Sequence, residues 1–127
     1  MAVGLAATTL ANNWINMLRA VAFTAPAGTF IKLHTADPGA AGATAPSANV
    51  TRVAATFSAA SGGAMALSNA PAFTMTATET ISHISVWDAA TVGNLLWTAA
   101  LTTPRAVVAT DTLTFTTVGF SLAPLTA

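Results

Sequence analysis

Residues 79 to 88 read ETISHISVWD, and their alternation sets the period for everything around them. Ile81, His83, Ser85 and Trp87 fall on one side, and Ser82, Ile84, Val86 and Asp88 on the other, the two-residue period of a β-strand. Downstream, a turn at Val92-Gly93 leads into NLLWTAAL, residues 94 to 101. Pro104 bends or ends that run, because it has no N–H for a ladder. Residues 105 to 108 and 111 to 117 read as further strands, with Leu113 and Phe115 opposite Thr112, Thr114 and Thr116. A last strand at 119 to 123 pairs at an edge. Upstream, the same reading gives strands at 72 to 76, 64 to 68, 51 to 59 and 29 to 35, with a turn at Ser61-Gly62-Gly63. In the last of these Ile31 and Leu33 face one way, and Phe30, Lys32 and His34 the other.

Short alternating strands separated by turn residues predict a mainly β fold. We expect an antiparallel β-sandwich, jelly-roll-like, with about seven or eight strands. The N-terminus breaks the period. Leu10, Trp14, Met17, Leu18 and Val21 follow helical spacing, which predicts one N-terminal α-helix over residues 8 to 21, closed before Pro26 and Gly28. The expected organisation is one domain over residues 1 to 127, with the sandwich over 29 to 123. The longest loop starts at Asp37-Pro38-Gly39, a turn signal, and runs to Asn49 through small residues.

Composition narrows the function. Of 127 residues, 54% are hydrophobic but only 6% are charged, and the formal net charge is zero. Four basic residues are too few for a nucleic-acid surface, which needs clustered cations to release counterions. So little charge fits a chain whose surface is covered by neighbours in an assembly. Threonine supplies the polarity instead, and threonine-rich faces suit close packing between subunits. There is no cysteine, hence no disulfide and no thiolate metal site. The absence of cysteine fits an intracellular origin. No continuous apolar run is long enough for a transmembrane helix, and the first residues lack the basic region of a signal peptide.

Catalytic chemistry finds no footing. His34, His83 and the four acids show no metal-ligand spacing, so no metal and no cofactor is expected. There is no nucleophile elbow and no phosphate-cradling glycine motif. Asp37, Glu79, Asp88 and Asp111 each sit beside a turn or a strand start, where carboxylates cap backbone N–H groups. An enzyme is not expected. Trp14, Trp87 and Trp97 are the candidates for a sugar platform, with core packing as the opposing reading.

Three blocks carry a likeness: FIKLHTADPGAAG (Phe30 to Gly42), TRVAATFSAASGG (Thr51 to Gly63) and SHISVWDAATVGNLLWTAALTTPRAV (Ser82 to Val107). With them the chain resembles small proteins of tailed phages infecting actinobacteria, commonly labelled tail fibre or minor tail proteins. The resemblance implies a structural protein of the virion, assembled in the host cytoplasm, with no catalytic residues to transfer. On size, a compact module suits capsid decoration; the alternative is a tail or fibre component that contacts host cell-wall glycan. Expected partners are copies of itself, a trimer first, and the major capsid or tail proteins. The candidate contact residues are Trp14, Met17 and Leu18 on the helix, and Asp37, Pro38 and Asn49 in the long loop. For the helix the opposing reading is a lid on the sandwich, and for the loop a disordered excursion.

Overall fold

The computed structural model describes residues 3–122. Five strands form an antiparallel sheet: β1 (Gly4–Leu5), β2 (Phe30–His34), β3 (Val53–Ala54), β6 (Glu79–Trp87) and β7 (Leu95–Val107), in the order β1-β7-β6-β2-β3. The remaining four pair as two ribbons, β4 (Ala64–Ala66) with β9 (Gly119–Ser121) and β5 (Ala72–Thr74) with β8 (Thr112–Thr114).

The pairs β6·β7, β5·β8 and β4·β9 are nested, which makes the second half of the chain one long hairpin rolled onto itself. The register runs through. Eight residues separate Ile81 from Phe73 on one arm, and eight separate their partners Arg105 and Leu113 on the other. Backbone bonds fill the gap, Met75 N–H to Asp111 O at 2.7 Å and Phe115 N–H to Pro71 O at 2.9 Å. The hairpin closes where Asp88 and Asn94 exchange bonds. Asp88 N–H donates to Asn94 O (3.1 Å), and Asn94 N–H and its side-chain amide donate to the Asp88 carboxylate (2.7 and 2.9 Å).

The core forms where the rolled arms meet one face of the large sheet. Cross-strand partners share a face, so Ile31, Leu33, Ile84, Val86 and Trp97 lie together, through the pairs Ile31↔Val86, Leu33↔Ile84 and Val86↔Trp97. They join Phe73, Met75 and Phe115 from the arms in one buried cluster. This is the expected sandwich, with the β2 alternation as read. Ile81 also enters that cluster, although simple alternation assigns it to the side of His83. Between Ile81 and His83, β6 advances two residues while β7 advances five, from Arg105 to Ala100, so the ladder is interrupted and strict alternation does not carry across. The interruption spans Pro104. The strand does not end there; it runs on as one element to Val107.

Other expectations are corrected in detail. Nine strands form among the described residues, close to the seven or eight expected. The run 51 to 59 shortens to β3, because the Asn69 side chain takes over ladder positions: it accepts from Thr56 N–H (2.9 Å) and donates to Ala54 O (3.0 Å). The helical segment covers residues 7–19 rather than 8–21. It opens with a π turn (Ala7–Ala11), continues as α1 (Asn12–Asn16) and tightens to a 3-10 turn (Met17–Arg19). Ala20, in the left-handed region at φ 58°, ends it. The end of the last strand expected at residue 123 lies outside the described residues.

Candidate contact surfaces

The long loop folds down onto the sheet. His34, Ser85, Trp87, Thr98 and Leu95 lie on the face away from the apolar core, and residues 35–49 pack over part of it. Their backbone bonds return to the sheet or close the loop, as with Ser47 N–H to Leu33 O (3.0 Å), Thr35 N–H to Ala45 O (2.9 Å) and Thr44 N–H to Pro38 O (3.0 Å). Pro38 is fully buried, and Asn49 is buried with its amide donating to Thr74 O at 2.8 Å. Asp37 is half-buried and accepts Gly39 N–H at 2.9 Å, the turn its sequence suggests. Glu79 accepts from the Ser47 hydroxyl and from Ala48 N–H (3.1 Å), holding the far end of the loop. The carboxylates therefore bind backbone N–H groups, as expected of acids beside turns.

Beneath the loop, His34 and Ser85 are both fully buried. His34 Nδ1 lies 2.8 Å from Thr44 O, which only accepts, so Nδ1 carries the proton. Nε2 is then a bare acceptor for the Ser85 hydroxyl (2.8 Å), and Ser85 Oγ accepts the Trp87 indole N–H (2.8 Å). Every group is satisfied with the ring neutral. Protonation would turn Nε2 into a donor and strip the Ser85 proton of its acceptor. Burial lowers the His34 pKa from 6.5, and the nearby Lys32 and His83 charges add to this, against the opposing bonds to Thr44 and Ala45. The pair is a Ser-His contact in form, but it is sealed from solvent and holds the loop to the sheet.

A pH dependence follows. Above pH 6.5 the ring is neutral in both folded and unfolded chains, so it adds no slope. Below that, the unfolded chain takes up a proton that the folded chain refuses until its own lower pKa. Stability is expected to fall on acidification through this window, by up to about 1.4 kcal/mol per pH unit. Denaturant unfolding at pH 7.5 and 5.5 checks this; equal free energies at the two values would contradict it.

The helix divides into a docked half and an exposed half. Leu10 is 3% exposed, and Trp14 is half-buried, its ring edge-on to Phe120 at 5.2 Å. Phe120 reaches Trp97 (6.0 Å), and Trp97 reaches Phe57 (6.1 Å), so a chain of rings ties the helix to β9, to the large sheet and to the segment between β3 and β4. Trp97 is buried and belongs to the core, not to a sugar platform. Trp87 carries the Arg52 guanidinium 3.9 Å from its ring centre. Met17 and Leu18, by contrast, are exposed at 49% and 89%, with Val21 beside them in sequence at 47%. A stripe drawn at 3.6 residues per turn does not persist through a π turn and a 3-10 turn, which is why the predicted face splits. Ile15, 64% exposed, was outside the predicted stripe; an apolar residue off the docked face was its signal.

Two substitutions separate the halves. Trp14→Ala is expected to cost about 2 kcal/mol, below the ~3–5 kcal/mol of a fully buried ring. Leu18→Lys is expected to leave the free protein within about 0.5 kcal/mol of wild type. Thermal unfolding of both reads the difference. A Leu18 variant as damaged as the Trp14 variant would mean that Leu18 is packed within the fold.

Among the described residues, no group of three His, Asp or Glu side chains is placed to hold a metal, and no helix is long and apolar enough to cross a membrane. Several residues that carry the phage likeness have structural work within the fold: His34, Pro38 and Ser85 are buried, and Asp88 and Asn94 close the main hairpin. A comparison with curated proteins finds no match. The family model described as podophage GP4 fiber I protein gp80 matches residues 5–123, so the chain belongs to this family of phage fibre proteins.

Proposed function

We propose that the chain is a tail or fibre component of the phage particle that works by binding, not by turnover. The observation that carries this reading is the family match over residues 5–123. It favours the fibre reading over capsid decoration, which rests on size alone. The chain would assemble in the host cytoplasm with copies of itself, as a trimer, and with neighbouring tail proteins, and would contact host cell-wall glycan. An actinobacterial host is the reading supported by the motif blocks at residues 30–42, 51–63 and 82–107.

The exposed apolar side chains of the helical end, Ile15, Met17 and Leu18, together with Val21, are the proposed subunit contact. Apolar surface of this kind marks association sites, and a chain without net charge has little repulsion to keep copies apart. In the long loop, Asp37, Pro38 and Asn49 would act indirectly, by holding the exposed residues between them in position. Quantitative mass spectrometry of purified virions tests the location. A few to a few tens of copies per particle supports the fibre reading; hundreds, in fixed ratio to the shell protein, would replace it with capsid decoration. Absence from the virion would remove both.

A further inference from the structure

A groove lies beside the interrupted part of the β6·β7 ladder. Residues 99–105 of β7 form one wall and residues 113–119, from β8 to the start of β9, the other, enclosing about 450 Å³. That volume falls within the ~300–1,000 Å³ of small-molecule sites. The lining has two chemistries. Buried Ile84 and Phe115 and half-buried Leu101 and Leu113 are apolar. Thr102, Thr103 and Thr116 are exposed, and among the described residues their hydroxyls have no hydrogen-bond partner. Arg105 stands in the same lining, also exposed.

Arg105 differs from the other arginines. Arg19 donates to Asn16 Oδ1 (3.3 Å), and Arg52 donates to Ala89 O (3.0 Å) and covers Trp87. Arg105 has no partner among the described residues. The four carboxylates meanwhile accept backbone N–H groups elsewhere: Asp37 from Gly39, Glu79 from Ala48, Asp88 from Asn94 and Asp111 from Val108. A guanidinium is a planar fork of donors suited to a carboxylate or phosphate. A threonine hydroxyl both donates and accepts, as a sugar hydroxyl does. A pyranose ring presents an apolar C–H face beside a hydroxyl edge, which matches a floor of leucine and phenylalanine rimmed by threonine.

We infer that this groove binds a saccharide carrying an anionic substituent, with Arg105 pairing the anion, the threonines meeting hydroxyls, and the ring lying against Leu101 and Leu113. The inference deepens the glycan contact proposed above and rests on it. The test is retention on an array that pairs carboxylated, phosphorylated and sulfated saccharides with their neutral parents. Wild type is compared with Arg105→Gln, Arg105→Lys and Thr103→Val, each first checked for an unchanged melting temperature. Wild type is expected to hold one or more anionic members about tenfold more tightly than the neutral parent, the effect of one charge-assisted contact. Arg105→Gln is expected to lose that preference, Arg105→Lys to keep part of it, and Thr103→Val to weaken binding of both members of a pair. Which substituent is held distinguishes carboxylate from phosphate and sulfate. Equal retention of an anionic saccharide by wild type and Arg105→Gln would overturn the groove assignment while leaving the glycan reading standing. Should Arg105→Gln fail to fold, unchanged binding in both Arg105→Lys and Thr103→Val would overturn the groove in its place. Retention of no saccharide by wild type would remove the glycan contact and the groove together, without touching membership in the particle, which copy number tests separately.

Discussion

Replacing Phe73 by alanine is expected to destabilise the protein by about 3–5 kcal/mol, the range for a buried aromatic truncated in a core that only partly collapses. Phe73 is 1% exposed and meets Phe115 edge-on at 5.9 Å. It sits on β5, one of the short strands of the rolled arms, and these strands have few ladder bonds of their own. What holds them over the large sheet is the apolar seam of Phe73, Met75 and Phe115 against Ile31, Leu33, Ile84 and Val86. An isolated two-stranded ribbon is marginal in water, so loss of this ring should loosen the arm and not merely leave a hole. The control lies next to it in sequence. Thr74 is exposed on the same strand, and Thr74→Ala is expected to stay within about 0.5 kcal/mol of wild type. Urea unfolding of the pair measures the difference. Domains have only about 5–15 kcal/mol in total, so Phe73→Ala should also reduce the amount of chain that reaches the particle. Equal stability of the two variants would mean that the arms are not seated on the sheet through this seam.

The same seam shows what was legible in the sequence and what was not. Alternation identified β2 and β6 and the faces of Ile31, Leu33, Ile84 and Val86, because a half-buried strand writes its two sides into every second residue. It also gave the short pieces around Phe73 and Leu113. It did not tell that β5 pairs with β8 and β4 with β9. Those pairings join residues about 40 to 55 positions apart (Phe73 with Leu113, Met65 with Phe120), and local pattern carries no register over such a distance. The helix was legible as an element, but not the division of its face, because that depends on a π turn and a 3-10 turn shifting the phase. The contact candidates divided in the same way. Met17 and Leu18 are exposed as a contact residue must be, whereas Pro38 and Asn49 are buried by a loop whose small residues show no period. The groove at Arg105 was not foreseen. It lies beside three extra residues of β7 at the interrupted ladder, and Pro104 was the one mark of that interruption in the sequence.

Gly42→Ala is the second large effect, expected at about 2–4 kcal/mol, and it decides which side of the sheet is available to a partner. Gly42 lies in the middle of the long loop at φ +65°. A Cβ there would come within 2.7 Å of Leu95 Cδ1 and 3.0 Å of Trp87 Cζ2. Leu95 is buried, and the Trp87 indole is fixed by its bond to Ser85 and by Arg52 against its ring, so neither yields freely. The left-handed backbone alone costs a side-chain-bearing residue roughly 1–2 kcal/mol, and forcing extra volume into a packed site costs about 1–3 kcal/mol more. Gly62→Ala separates these contributions: its φ is +58°, but an added Cβ meets nothing within 4 Å, so it should show the backbone cost alone. Denaturant unfolding of the two variants gives the packing contribution as their difference. A clear excess for Gly42→Ala means the loop is pressed against Trp87 and Leu95 in solution. That patch of the sheet is then internal and closed to a partner, which leaves the helix end and the β7 groove as the contact surfaces proposed above. Equal losses in the two variants would mean that the loop lifts at little cost, and would return the face of Trp87 and Leu95 to the surfaces open to a partner.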